Sequence, residues 1–181
     1  MPLEIVVGAQ WGDEGKGRIV DLLAEGADIV ARFNGGDNAG HTVHVGEHTF
    51  KLHLIPSGVI QPGTLAVLGN GVVINPLSLV DEIEILRRQG ILVTPQRLKL
   101  SHAAHLITPG HRALDRAQES ARGLASLGTT GRGIGPAYTD KTTRRGLRLQ
   151  DLLDTVSFED KLRVHLHQTN DWLTQVYQYE P

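Results

Sequence analysis

Apolar residues recur along the first part of the chain at two spacings, one typical of strands and one typical of helices. The run Leu3–Gly8 is apolar and ends in glycine, which predicts a buried parallel strand. Apolar positions at helical spacing then predict a helix over Gly17–Glu25, with Gly26 as its stop. The run Asp28–Phe33 predicts the next strand. Strand, glycine-rich turn, helix and strand in this order form a βαβ unit.

The pattern continues to about residue 100 with further short elements. Alternation over Thr42–Leu54 around Gly46 and Glu47 predicts a β-hairpin. Amphipathic spacing over Pro76–Gln89 predicts a helix on the surface of a sheet. Short apolar runs predict three more strands: Leu65–Leu68, Val72–Ile74 and Arg97–Leu100.

Helical and loop signals dominate the rest of the chain. Thr108 followed by Pro109 is a helix N-cap with proline at the first helical position, and this helix is predicted to end near Arg122. Residues 123–146 are rich in glycine and threonine and predict a long loop. Ser157–Asp160 resembles a capping box that opens a final helix.

These elements predict an α/β fold, with a P-loop-like, mainly parallel central sheet and flanking helices. We expect residues 1–100 to form an α/β nucleotide-binding domain that contains the glycine-rich loop. We expect residues 101–181 to form a smaller, mostly helical segment that contains the loop 123–146.

Composition narrows the function classes. Glycine supplies 21 of 181 residues, against a usual share of about 7%, so parts of the backbone must turn sharply or approach a ligand closely. A net charge of −2 gives no electrostatic case for binding nucleic acid or an acidic membrane surface. The absence of cysteine excludes a disulfide scaffold and a thiolate metal site. With no apolar stretch of about 18 residues, we expect a cytoplasmic protein.

The glycine-rich loop Gly8–Gly17 lies between a predicted strand and a predicted helix, which is where P-loop proteins bind phosphates on free N–H groups. Lys16 could reach those phosphates as a point charge. The loop departs from the usual pattern, because Gln10 replaces its first glycine and Gly17 replaces the Ser or Thr that holds Mg²⁺. A magnesium ligand must therefore come from elsewhere, and Asp13 is the obvious carboxylate.

A plain strand-to-helix turn with incidental charges is the alternative interpretation of this loop. Two adjacent carboxylates, Asp13 and Glu14, would repel a phosphate unless a metal or a proton donor stood between them. The pair therefore favours a functional loop.

The loop 10–17, QWGDEGKG, resembles the signature loop of the adenylosuccinate synthetases. Later segments agree with this family in order: 35–42 (GGDNAGHT), 52–58 (LHLIPSG), 69–73 (GNGVV) and 128–138 (GTTGRGIGPAY). The resemblance extends to about Asp151. It implies a GTP-dependent ligase that joins L-aspartate to inosine monophosphate (IMP) through a 6-phosphoryl-IMP intermediate.

The resemblance also implies roles for individual residues. Asp13 would remove the proton from N1 of IMP and bind Mg²⁺, with the Gly40 carbonyl as a second magnesium contact. His41 and Lys16 would meet the charge that develops on the transferring phosphoryl group. The implied nucleotide contacts are Gly12, Asp13, Glu14, Gly15, Lys16, Gly17, Arg18, Gly40, His41 and Thr42.

Four further residues are implied to contact IMP: Asn38, Ala39, Thr130 and Arg144. Arg144 would reach the 5′-phosphate of IMP bound to a partner subunit, so the resemblance implies a homodimer. A solvated basic loop around Arg144 is the alternative.

Histidine spacing alone does not predict a metal centre. His41 follows Gly40 in a polar loop, and His44 and His48 lie on the predicted hairpin. Strands do not gather such spacings as a helix would, so zinc is disfavoured. The histidines from His102 onward have no partner motif, and we expect ordinary satisfied positions for them.

Two hypotheses from different classes stay open at this point. The chain lacks the Thr-Lys-Xaa-Asp segment with which the family recognises guanine. It is therefore either the ligase, or its catalytic-loop part, or a non-catalytic nucleotide-binding or dimerisation remnant of it. Another kind of P-loop ATPase is a third hypothesis, disfavoured by Gly17 after the lysine and by His41.

Overall fold

The computed structural model describes residues 2–9, 15–125 and 127–179. Within these residues the α-helices are Lys16–Ala24 (α1), Pro76–Arg88 (α2), Pro109–Arg122 (α3), Ile134–Thr143 (α4) and Thr155–Gln175 (α5). The strands are Ile29–Gly35 (β1), His41–Val45 (β2), His48–Leu52 (β3), Leu65–Ile74 (β4), Leu98–Leu100 (β5) and His105–Leu106 (β6). Short 3-10 turns cover Ser57–Ile60, Gly123–Ala125 and Leu149–Leu153.

Strand β4 is the centre of a parallel sheet. It pairs in parallel with β1, with Ile29 opposite Leu65, and with β5 on its other side. Its last residues pair in parallel with β6, where Val73 lies opposite His105. Helix α2 connects β4 to β5, so β4–α2–β5 is a βαβ unit. The predicted α/β fold with a parallel sheet and flanking helices is confirmed.

The main core lies around β4, because the sheet, the hairpin and helix α2 all turn apolar side chains towards it. Leu68 and Val72 of β4 are completely buried, as is Leu54 in the segment after the hairpin. Leu86 of α2 and Phe50 of β3 pack into the same cluster. Each such side chain contributes about 1.5–3 kcal/mol on burial, so this cluster stabilises the sheet edge from which the candidate site is built.

Strands β1 and β4 lie close together at Gly71, beside a register shift between Arg32 and Asn34. A Cβ atom at position 71 would lie 2.0 Å from the carbonyl oxygen of Phe33. Glycine is therefore required here for the two strands to pair, which explains one of the clustered glycines.

The prediction of a strand over Leu3–Gly8 is wrong in this structure. Residues 2–8 form no strand, and Leu3, Ile5 and Val7 are 85%, 69% and 68% exposed. An apolar run can identify a buried segment only if a partner strand takes it up, and β1 is at the edge of the sheet. The first βαβ unit predicted from sequence is consequently absent, and the unit that forms is β4–α2–β5.

Other elements agree with the sequence patterns to within a few residues. The predicted helices over 17–25, 76–89 and 109–122, the hairpin and the strands near 28–33 and 97–100 are all present. The two predicted strands Leu65–Leu68 and Val72–Ile74 are one continuous strand, because Gly69 and Gly71 bring its backbone close to β1 without ending it.

Two details of the second half are corrected. The segment 123–146 is not one long loop, because α4 forms within it and is closed by Arg144 at its C-cap. Glycine and threonine suggested a loop, yet Ala137 and Pro136 are buried and hold this helix against the molecule. The final helix is capped by Asp154, whose side chain accepts from the N–H of Ser157, rather than by Ser157 itself.

The boundary near residue 100 stays a prediction. Strand β6 lies beyond it and still pairs with β4, while α3, α4 and α5 supply the mostly helical character of the later residues. No helix in the described part of the chain is both long enough and apolar enough to span a membrane.

Candidate functional site

Helix α1 begins directly after Gly15, which has a left-handed backbone (φ 81°) that favours glycine. The N–H of Arg18 closes the first turn on the Gly15 carbonyl at 3.1 Å. The N-terminus of a helix carries free N–H groups and a partial positive charge, which together favour an anion. The predicted contacts Gly15, Lys16, Gly17 and Arg18 all lie in this turn. Gly12, Asp13 and Glu14 lie outside the described residues, so their roles stay predictions.

His41, the first residue of β2, reaches across to helix α1. Its Nε2 atom donates to the carboxylate of Asp21 and lies 2.8 Å from both carboxylate oxygens. The two side chains are 28% and 21% exposed, so the pair is partly shielded from water. The structure therefore places the side chain of His41 against α1, the helix that begins at the glycine-rich loop.

Gly17 makes room for that histidine ring. A Cβ atom at position 17 would lie 2.2 Å from Nδ1 and 2.3 Å from Cε1 of His41. No real side chain tolerates such contacts unless the ring moves. Gly17, which replaces the Ser or Thr of the P-loop pattern, is thus the residue against which the His41 ring packs. The presence of His41 explains why glycine is needed at position 17.

The loop after β1 is fixed by Arg32. Its guanidinium donates to the carbonyl oxygens of His53 at 2.5 Å, Gly36 at 2.6 Å and Asn34 at 3.2 Å. Burial lowers the pKa of Arg32, and the charge of Glu82 partly offsets that effect. Arg32 thus holds carbonyl groups both before and after the stretch 38–40. The backbone that carries Asn38, Ala39 and Gly40 is therefore tied to the sheet.

Glu82 of α2 holds the segment on the other side of that loop. Its buried carboxylate accepts the backbone N–H groups of His53 and Leu54 at 2.9 Å and of Ile55 at 3.2 Å. His53 in turn contacts the carbonyl oxygen of Ala39 through Nδ1, at 3.2 Å. A carboxylate inside the core therefore supports the predicted IMP-contacting backbone.

The loop 128–133 meets the loop 36–40. Arg132 donates to the backbone carbonyl of Asp37 and lies 3.9 Å from its carboxylate. Ile134 packs so tightly on Gly36 that a Cβ there would be 2.5 Å away. Tyr138 adds a third link, since its hydroxyl accepts from the N–H of Gly35 at 2.7 Å. The loops that carry Asn38, Ala39 and Thr130 are thus brought together.

Thr130 itself is exposed and lies on a loop that Glu119 anchors. The Glu119 carboxylate accepts the N–H of Gly128 and that of Thr129, the latter at 3.2 Å. Thr42 is the second residue of β2, opposite Lys51. Its side chain is exposed on the hairpin next to His41.

Arg144 occupies a different place. It is the C-cap of α4, with a left-handed backbone (φ 62°), and lines a cavity of about 630 Å³ together with Arg145, Arg148 and Lys161. Neither His41 nor Thr130 lines this cavity. Arg144 therefore lines a cavity that these two predicted contacts of its own chain do not line.

Sequence patterns missed a buried polar cluster between three helices. Asp140 of α4 lies 3.0 Å from Nε2 of His111 in α3 and 3.4 Å from Nδ1 of His165 in α5. Burial alone would raise the pKa of Asp140, but the hydrogen bond and charge of His111 and the charges of His165 and Arg145 lower it. Burial lowers the pKa of His165, and the charge of His111 adds to that.

This cluster has metal-like spacing, with one ligand atom from each residue within 4.8 Å of the others. However, Nδ1 of His111 accepts the backbone N–H of Thr108 at 3.0 Å. The proton of the neutral ring must then sit on Nε2, where it is donated to Asp140, so no lone pair is left for a metal. The cluster is a hydrogen-bonded joint between helices.

The fold and the site define an α/β protein in which a helix begins at a glycine-rich loop and a histidine from a neighbouring hairpin packs against that helix. The sequence profile of the family described as adenylosuccinate synthetase matches residues 5–181. The chain therefore belongs to the adenylosuccinate synthetase family.

Individual relatives agree with this assignment. The chain is 54% identical over 173 residues to the adenylosuccinate synthetase of Clostridium acetobutylicum, and 54% identical over 177 residues to that of Moorella thermoacetica. These matches cover 96% and 98% of the chain but only 40% and 41% of the relatives. The chain thus spans about two fifths of the length of the curated relatives it matches.

Solved structures give the same result. The fully ligated adenylosuccinate synthetase of Plasmodium falciparum superposes with a TM-score of 0.81 at 41% identity, covering 94% of this chain and 39% of that one. A succinoaminodeoxyadenylate synthetase of cyanophage S-2L, solved with dGMP and dATP, superposes with a TM-score of 0.62 at 27% identity, covering 80% and 39%.

Proposed function

We propose that this chain supplies the phosphoryl-transfer loop and the IMP-contacting loops of an adenylosuccinate synthetase. The reaction joins L-aspartate to IMP with the cleavage of GTP, gives adenylosuccinate, GDP and phosphate, and begins the conversion of IMP to AMP. The observation that carries the proposal is the position of His41, whose ring rests on Gly17 in the first turn of α1. It puts a polar ring where a helix N-terminus favours phosphate.

The first chemical step is a phosphoryl transfer. Asp13 takes the proton from N1 of IMP, the electrons move to O6, and O6 attacks the γ-phosphorus of GTP while the bond to the β-phosphate oxygen breaks. The products are 6-phosphoryl-IMP and GDP. Lys16 and His41 balance the charge on the transferring group.

Mg²⁺ suits this site because a carboxylate from Asp13 and a backbone carbonyl from Gly40 are both hard oxygen ligands. Bound there, it would neutralise charge on the phosphates of GTP. Gly40 immediately precedes the first residue of β2, and its backbone lies beside the ring of His53. The backbone oxygen at this position is thus attached to the same anchored loop as the predicted IMP contacts.

In the second step the amino group of L-aspartate attacks C6 of the intermediate, the C6–O bond breaks, and phosphate leaves. IMP must therefore stay bound in the same position through both steps. Asn38, Ala39 and Thr130 are proposed to hold it, and the contact of Arg132 with Asp37 supports this by joining their two loops.

Arg144 is proposed to act on the IMP of a partner subunit in a homodimer. Its place in a cavity whose lining includes neither His41 nor Thr130 supports a contact in trans rather than within the chain. We further propose a cytoplasmic location, with small-molecule partners and no nucleic acid or membrane.

The test is the formation of adenylosuccinate, followed by ultraviolet absorbance, with the 181-residue chain, IMP, L-aspartate, GTP and Mg²⁺. Turnover that disappears in Asp13→Asn would show that these residues carry the reaction by themselves. Binding of IMP without any turnover would instead favour the second hypothesis, a non-catalytic nucleotide-binding or dimerisation part of the enzyme. Tight ATP binding without IMP binding would favour a different P-loop ATPase.

A further inference from the structure

We infer that Asp21 is a positioning residue that orients the ring of His41. The inference rests on the proposed function, in which His41 acts on the transferring phosphoryl group. Asp21 was not singled out by any sequence motif. Its assignment comes from the two contacts of 2.8 Å that its carboxylate oxygens make with Nε2.

The helix geometry explains how one side chain fixes the ring. Asp21 follows Gly17 by four residues, so both lie on the same face of α1. The ring lies along this face, with Nδ1 and Cε1 against Gly17 and Nε2 on Asp21. A ring held at both of its ends has neither freedom to rotate nor freedom to slide along the helix.

The contact also decides which nitrogen faces the first turn. A carboxylate only accepts hydrogen bonds, so the Nε2 atom of His41 must carry the proton that it shares with Asp21. Nδ1 is then the nitrogen turned towards Gly17 and the start of α1. Without Asp21 the ring could turn about its side-chain bonds, and neither nitrogen would have a fixed direction.

Two substitutions separate the hydrogen bond from the rest of the side chain. Asp21→Ala removes the acceptor altogether. Asp21→Asn keeps one carbonyl oxygen that accepts from Nε2–H. Glu25→Ala is the matched control, because Glu25 is the C-cap of the same helix and is exposed.

The direct readout is nuclear magnetic resonance of the 181-residue chain. In the unsubstituted chain we expect a protected Nε2–H resonance of His41 and nuclear Overhauser contacts from its ring to the α-protons of Gly17. Both should vanish in Asp21→Ala, persist in Asp21→Asn and be unchanged in Glu25→Ala. Unchanged signals in Asp21→Ala would overturn the inference, whatever the chain binds.

Titration of the same four proteins with GTP and Mg²⁺ separates this inference from the proposed function. We expect affinity to fall at least threefold in Asp21→Ala and less in Asp21→Asn. If all four bind equally, Asp21 does not position a ring that matters for the nucleotide, and the inference fails. If none binds while the resonance still depends on Asp21, the proposed function fails, and a positioning role in it fails with it.

Discussion

Replacing Glu82 by alanine should destabilise the protein far more than its place on a surface helix suggests. Its carboxylate is the acceptor for three consecutive backbone N–H groups, those of His53, Leu54 and Ile55. Leu54 and Ile55 are buried, whereas His53 is exposed and its N–H can find water. Two buried donors would therefore lose their acceptor in Glu82→Ala.

The magnitude follows from these two donors. An unsatisfied buried donor costs about 1–3 kcal/mol, so the pair costs roughly 2–6 kcal/mol before relaxation. Alanine returns a few tenths of a kcal/mol through helix propensity. We expect a net loss of about 3 kcal/mol, which is large against a typical total of ~5–15 kcal/mol.

The assay is urea unfolding followed by circular dichroism. With a slope of about 1–3 kcal/mol per molar urea, a loss of about 3 kcal/mol should lower the midpoint by roughly 1–3 M. Glu84→Ala is the control on the same helix, because Glu84 makes only a half-exposed ion pair with Arg87 at 2.8 Å, which is worth about 0–1 kcal/mol. Glu82→Gln keeps one acceptor oxygen and should lie between the two.

Equal midpoints for Glu82→Ala and Glu84→Ala would refute the reasoning, because they would show that the three N–H groups find other partners at no cost. A faster amide exchange confined to residues 53–55 in Glu82→Gln would identify the contact directly. We also expect Glu82→Gln to shift the resonances of Ala39, because His53 contacts its carbonyl oxygen.

Three further predictions follow from the site. In Gly17→Ala the new methyl group would overlap the ring of His41, so the nuclear Overhauser contacts between the ring and residue 17 should be lost. GTP affinity should fall at least threefold, although alanine is the better helix former by about 1 kcal/mol. An unchanged ring position by magnetic resonance would contradict this. Arg144→Leu should weaken IMP binding in calorimetry and leave GTP binding nearly intact, whereas equal loss of both ligands would indicate misfolding. Burial lowers the pKa of His165, so its stabilising contribution is full above the ordinary histidine pKa of about 6.5 and is lost as pH falls through the lowered pKa. Urea midpoints at pH 7.5 and pH 5.5 should therefore differ less in His165→Gln than in the unsubstituted chain. An equal difference in the two proteins would contradict the assignment.

Elements whose signals are local were predictable from the sequence. Thr108 with Pro109 marked the start of α3, and the alternation around Gly46 marked the β2–β3 hairpin, because caps and tight turns depend on a few adjacent residues. Elements that depend on a partner were less predictable. The run Leu3–Gly8 is apolar but pairs with no strand, and nothing in its own residues distinguishes the two outcomes.

The candidate site divides in the same way. Motif resemblance selected His41, Lys16 and the loops around Asn38 and Thr130, and the structure places the first two on or beside α1. It could not select Asp21, whose role depends on a contact between a helix and a hairpin twenty residues apart. The same is true of the joint formed by His111, Asp140 and His165, because His111 and Asp140 are 29 positions apart along the chain and meet only in the folded molecule.

The central claim is that the loops around Asn38 and Thr130 form an IMP site. Calorimetric titration of IMP into the 181-residue chain tests it most directly, with Thr130→Ala as the variant and Thr174→Ala, an exposed position near the end of α5, as the control. We predict saturable binding that weakens at least tenfold in Thr130→Ala and is unchanged in Thr174→Ala. Absence of IMP binding, or equal binding by all three proteins, would contradict the claim.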